Sequence, residues 1–153
     1  MEDAETPEVE MPAELFAVRI FTIADYATDV TESGKLYVHG GGVDTIWMSI
    51  LPGPLTPVHL ALRLSVPWQN LTEPFDLRIR ALNLDRTPVG QDPIFHVHPE
   101  IGRPPGMRPG DEAAINVALG LGGLEVQTYG TIFFHLEIDG KTLARLPLKI
   151  VPL

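Results

Sequence analysis

Between Tyr129 and Val151 apolar and polar residues alternate with a period of two. Ile132, Phe134, Leu136 and Ile138 interleave with Thr131, Phe133, His135 and Glu137, and Ala144, Leu146, Leu148 and Ile150 interleave with Arg145 and Lys149. Alternation of this kind predicts two strands, each with one buried face. Asp139-Gly140 marks the turn between them. Residues paired across an antiparallel ladder share a face. An unbroken ladder closed by a two-residue loop sets Phe134 opposite Arg145, which mixes core and solvent faces. Parity therefore predicts a three-residue loop, Ile138-Asp139-Gly140, with Gly140 as a left-handed bulge. Glu137 then pairs with Lys141, Phe134 with Ala144 and Ile132 with Leu146. The same register sets Phe133 beside Arg145 and His135 beside Leu143 on an outward face, where two apolar residues imply a cover.

The rest of the chain reads as further strands. Phe16 to Thr22 opens the series, followed by Asp25-Tyr26-Ala27 and a polar break at Thr31 to Gly34. Lys35 to His39 and Val43 to Ile50 flank three glycines, which predict a bulge, a sharp corner or the close approach of another backbone. Val58 to Val66 shows the cleanest alternation of the first half. Phe75 to Ala81 follows, with a phase slip at Ala81-Leu82 that predicts a bulge before the Asp85 to Pro88 turn. Ile94 to His98, Ala113 to Leu119 and Leu124 to Thr128 complete the set. Turn signals recur between these runs, and no window has a helical period. The expected fold is all-β, an antiparallel β-sandwich of eight or nine strands.

Composition sharpens this picture. Fifteen prolines and fourteen glycines in 153 residues suit many strands joined by turns and argue against a helical protein. No cysteine is present, which excludes a disulfide framework and thiolate metal ligation. No apolar run approaches the ~18 residues of a membrane helix, and the acidic start does not resemble a signal peptide. The expectation is a cytoplasmic protein with no membrane partner. Net charge is -9, but Glu2, Asp3, Glu5, Glu8, Glu10 and Glu14 supply six of those charges before the first cation, Arg19. Residues 1–14 thus read as an acidic flexible arm and 15–153 as a single domain. A body without a basic excess is not expected to bind nucleic acid.

Several segments together carry a resemblance. Asp25-Tyr26-Ala27, Gly34-Lys35-Leu36, the glycine corner at Gly40 to Gly42 and Asp44-Thr45-Ile46 occur in that order. Leu77-Arg78-Ile79-Arg80, Pro104-Pro105-Gly106 and Leu136-Glu137-Ile138-Asp139-Gly140 follow. Over most of residues 16 to 151 the chain resembles a family of uncharacterised bacterial, mainly actinobacterial, proteins. The resemblance implies an immunoglobulin-like or C2-like β-sandwich and brings no activity or catalytic residues with it.

Candidate chemistry is sparse. His96 and His98, at i and i+2 of one strand, share a face and could reach one metal ion, against the alternative of two solvent-facing histidines. Glu100 follows too closely to match a cupin-like site. Ser33, Ser49 and Ser65 lie in no nucleophile motif, and Asp25, Asp29, Asp85 and Asp92 lack calcium-loop spacing. The proline-stiffened loop from Ile101 to Gly110 offers Arg103, Met107 and Arg108, residue types favoured at interfaces.

The resulting expectation is a non-enzymatic protein-interaction module or assembly subunit without a cofactor, whose partner is another protein or a second copy. Its candidate contacts are Phe133, His135, Leu143, Arg145, Arg103, Met107 and Arg108. One alternative is a metal-dependent enzyme or small-molecule binder using His96 and His98. Another is a self-associating structural protein.

Overall fold

The computed structural model describes residues 16–55 and 57–153, so the acidic arm at 1–14 lies outside the described residues. The described chain is all-β, with strands β1 (Ala17–Val30), β2 (Lys35–Gly41), β3 (Thr45–Met48), β4 (Gly53–Pro54), β5 (His59–Pro67), β6 (Leu77–Leu82), β7 (Phe95–Val97), β8 (Glu112–Gly120), β9 (Glu125–Val126), β10 (Gly130–Ile138) and β11 (Lys141–Pro152). One sheet has the order β2-β1-β5-β8. A second has the order β3-β11-β10-β6-β7, and β4 pairs with β9 in a small ribbon. No helix among the described residues is long and apolar enough to cross a membrane.

Both large sheets feed one core. Ile23, Leu60, Leu62 and Leu64 from the first sheet cluster with Leu77, Ile79, Phe134, Leu136, Leu148 and Ile150 from the second. Outside β1 these are the inward positions that alternation assigns to each strand; in β1 alternation from Phe16 and Val18 assigns Ile20, but the register shifts between Val18 and Ile20 and Ile23 is the buried residue instead. Burial of such side chains contributes roughly 1.5–3 kcal/mol apiece.

Four expectations are corrected. β1 does not stop at Thr22 but runs through Asp25-Tyr26-Ala27 to Val30, because its two halves have different partners. Ala17 to Ala24 pairs with β5, and Ala24 to Val30 pairs with β2. The short polar run at Thr31 to Gly34 is then only the hairpin turn. Secondly, β3 runs parallel to β11, with Ile46 opposite Ile150 and Trp47 opposite Val151. β2 and β3 belong to different sheets, so no tight hairpin forces β3 to run antiparallel to its partner.

Thirdly, β6 pairs with β10 in unbroken register through Leu82, with no bulge at Ala81-Leu82. Leu82 points away from the core yet is fully buried, and Pro88 bridges to it from the following turn. The apparent slip in phase is an apolar residue covered from outside.

The fourth correction concerns the β10–β11 hairpin. Ile138 pairs with Lys141 and Glu137 with Thr142, so the loop is the two-residue Asp139-Gly140. Both have positive φ, 50° and 81°, as a type I′ turn requires. The parity conflict is real, but it is resolved inside β11. The register shifts by one residue after Glu137–Thr142, so that Leu136 faces Ala144, His135 faces Arg145, Phe134 faces Leu146 and Ile132 faces Leu148. Leu143 is the extra residue of that bulge and is not the partner of His135.

Candidate functional site

The outer face of the second sheet collects most of the side chains that could do chemistry. Registers place them. Phe133 lies between Leu82 and Pro147, His135 between Arg80 and Arg145, and Glu137 between Arg78 and Thr142. On β7, His96 pairs with Arg78, so it stands on this same face. At the opposite edge Trp47 pairs with Val151 and is 61% exposed. Strand positions of this face thus present Arg78, Arg80, Arg145 and Lys149 against the single carboxylate Glu137. Asp76 and Asp92 join from flanking loops.

The charges are organised as a ladder. Arg80 grips Asp92 with two parallel bonds, Nε to Oδ1 at 2.9 Å and Nη2 to Oδ2 at 2.7 Å. Its Nη1 also donates to Glu137 Oε2 at 3.4 Å. A planar guanidinium suits this forked contact. The bonds to Asp92 raise the Arg80 pKa further and hold the Asp92 carboxyl below its usual range. Arg145 is engaged differently, with its guanidinium carbon 4.3 Å from the centre of the Phe133 ring.

His135 is the unusual member. It sits on the outward face, yet only 5% of it is exposed. Its Nδ1 is buried without a hydrogen-bond partner among the described residues. Burial lowers its pKa below the ordinary 6.5, and the cations Arg86, Arg145 and Arg80 lower it further, against Glu137. Burial and the arginines on both neighbouring strands thus oppose its protonation.

At the β7 edge, His96 and His98 meet a third group that sequence reasoning missed. Asp76 Oδ1 accepts from His96 Nε2 at 2.5 Å and lies 3.5 Å from His98 Nδ1. Arg78 Nε donates to the other oxygen, Oδ2, at 2.9 Å. The His96 bond is the main cause of a lowered Asp76 pKa. The β6–β7 register, extended by two residues beyond Arg78–His96, sets Asp76 opposite His98. The signal available in sequence was therefore Asp76 on the outward parity of Arg78 and Arg80, but it needs the β6–β7 pairing to be read. Asp76 is further clasped to the hairpin tip. Its N–H donates to Asp139 Oδ1, and the Asp139 N–H donates to the Asp76 carbonyl, both at 2.9 Å.

The loop candidates lie apart from this arrangement. Arg103 stacks 3.7 Å from the centre of the Trp68 ring, and its Nε and Nη2 donate to the Trp68 carbonyl. Met107 is half-buried against the core, and the Arg108 N–H donates to Asp111 Oδ2. These residues tie the loop to its own domain. Leu143, on the β11 bulge, is 38% exposed.

Among known proteins, the model of DUF6941, a family of unknown function, matches residues 19–151. No curated protein matches the chain.

Proposed function

The chain belongs to the DUF6941 family, and we propose that this member is a non-enzymatic β-sandwich module that binds a protein partner through the outer face of its second sheet. The observation that carries this reading is the composition of that face. It sets exposed Trp47 and the Phe133–Arg145 stack on a lattice of arginines. Aromatic residues and arginine are the types that dominate interface energies, because they bury large areas while satisfying polar groups. The cationic excess of the strand positions suits a partner surface with carboxylates around an apolar side chain. An immunoglobulin-like or C2-like arrangement belongs to the same proposal, supported by the single core that both sheets line.

A non-enzymatic role agrees with how the polar side chains are used. Ser65, the buried serine, accepts from Arg19 Nε at 2.9 Å on the other sheet. Arg80, Asp92 and Glu137 bind one another. The test compares wild type with Phe133→Glu and Arg145→Glu in quantitative pull-down and sedimentation, with Tyr26→Glu on the first sheet as control. The expected result is a stoichiometric complex lost in the first two variants and kept in the third. A wild-type chain that sediments as a monomer and retains no partner overturns the proposal. A homodimer abolished by Phe133→Glu assigns the face to self-association instead.

A further inference from the structure

We propose that Asp76, His96 and His98 form a binding site for one divalent cation of the zinc class, with an open fourth position. This rests on residues other than those that carry the interaction reading. The three ligand atoms, Asp76 Oδ1, His96 Nε2 and His98 Nδ1, all lie within 4.8 Å of one another. Metal–ligand bonds of about 2.0–2.2 Å at tetrahedral angles place neighbouring ligand atoms roughly 3.3 Å apart. The two separations from Asp76 Oδ1, 2.5 Å to His96 and 3.5 Å to His98, bracket that spacing. Small side-chain rotations are enough to close the triad on an ion.

The backbone prepares the site from three directions. Strand alternation puts His96 and His98 on one face, with ring centres 5.0 Å apart. The clasp with Asp139 pins the Asp76 backbone at both its N–H and its carbonyl. Arg78 holds Oδ2, which leaves Oδ1 turned towards both imidazoles. Such outer contacts orient the ligands of metal sites. Two imidazoles and one carboxylate are a borderline donor set, suited to zinc and its first-row neighbours and poor for calcium or magnesium. A cation bound here takes the place of the His96 Nε2–H as the partner of Asp76 Oδ1. His98 has 68% of its side chain exposed, so the fourth position opens to solvent.

The test is titration of the full chain, freed of metal with a chelator, with zinc chloride, followed by calorimetry and by NMR of the histidine rings. The expected result is one zinc per chain. Binding weakens at least tenfold in His96→Ala, in His98→Ala and in Asp76→Asn. At one equivalent the ring signals of His96 and His98 move, while those of His39, His59 and His135 stay. Equal zinc binding by the His96→Ala/His98→Ala double variant overturns the proposal. So do ring signals in the wild type that stay fixed, or that shift only at the other histidines. The NMR readout uses the unaltered protein, so it stands even if a variant folds poorly.

Discussion

Arg145 lies over the ring of Phe133, 4.3 Å from its centre, although the two are not paired in the ladder. Phe133 pairs with Pro147 and Arg145 with His135, so the stack is diagonal across β10 and β11. It joins an apolar surface to a charge that is held in place. Phe133→Glu removes both parts. The expected outcome is at least tenfold weaker partner binding, or conversion of a dimer to monomer in sedimentation. Raising the salt concentration should weaken wild-type binding as well, since exposed charges are screened. Affinity that ignores salt argues against the charged half of the proposed interface.

His135 gives a pH dependence whose sign follows from its surroundings. Burial and the facing cations Arg80, Arg86 and Arg145 oppose its protonation, and Glu137 only partly offsets them. Its pKa in the fold is therefore below the 6.5 of an ordinary histidine. The unfolded chain takes up the proton first as pH falls. The stabilising contribution is full above 6.5 and is lost between 6.5 and the lower folded value, with a slope of at most about 1.4 kcal/mol per pH unit. Urea denaturation of wild type and His135→Gln across that range measures it. Identical slopes in the two proteins exclude His135 as the cause.

Phe133 and Phe134 are adjacent in sequence and opposite in role. Phe134 is fully buried in the core, and Phe134→Ala should cost about 3–5 kcal/mol through lost burial and the cavity left behind. Phe133 is half-buried on the outer face, and Phe133→Ala should cost about 1 kcal/mol, the scale of a partly exposed ring and one cation–π contact. Thermal melting of the two variants distinguishes these costs directly.

The bulge at Leu143 can be tested by covalent chemistry, because the chain has no cysteine of its own. Thr131 faces Lys149 in the ladder. Opposed Cα atoms in an antiparallel pair are about 4.5–5.5 Å apart, within disulfide range. Thr131→Cys with Lys149→Cys should therefore cross-link on oxidation, as read by non-reducing mass spectrometry. A ladder closed by a three-residue loop sets Thr131 opposite Pro147, and efficient cross-linking at 147 instead of 149 would restore it.

Inward positions were legible in the sequence because alternation reports burial directly. Ile132, Phe134 and Leu136, and Leu60, Leu62 and Leu64, are all in the core where their parity puts them. Register was less accessible. Parity detects that an odd residue exists, but Leu143 and Gly140 satisfy it equally, and the choice depends on packing along the whole ladder. Leu82 misled for a related reason, since a residue covered from outside looks like a break in phase. The histidine pair was visible as a motif, whereas Asp76 joins it only through pairing between β6 and β7 and through the contact with Asp139. His135 was placed on the correct face, but its burial comes from its surroundings and not from its own strand.

The spatial order of the strands also bears on the order in which a growing chain can be satisfied. Every strand of the first sheet has been made once Gly120 has left the ribosome. The second sheet at that point has only β3, β6 and β7, two edge pieces separated by a gap that β10 and β11 later fill. β3 waits roughly a hundred residues for the strand beside it, and its row of backbone donors and acceptors stays open for that whole interval.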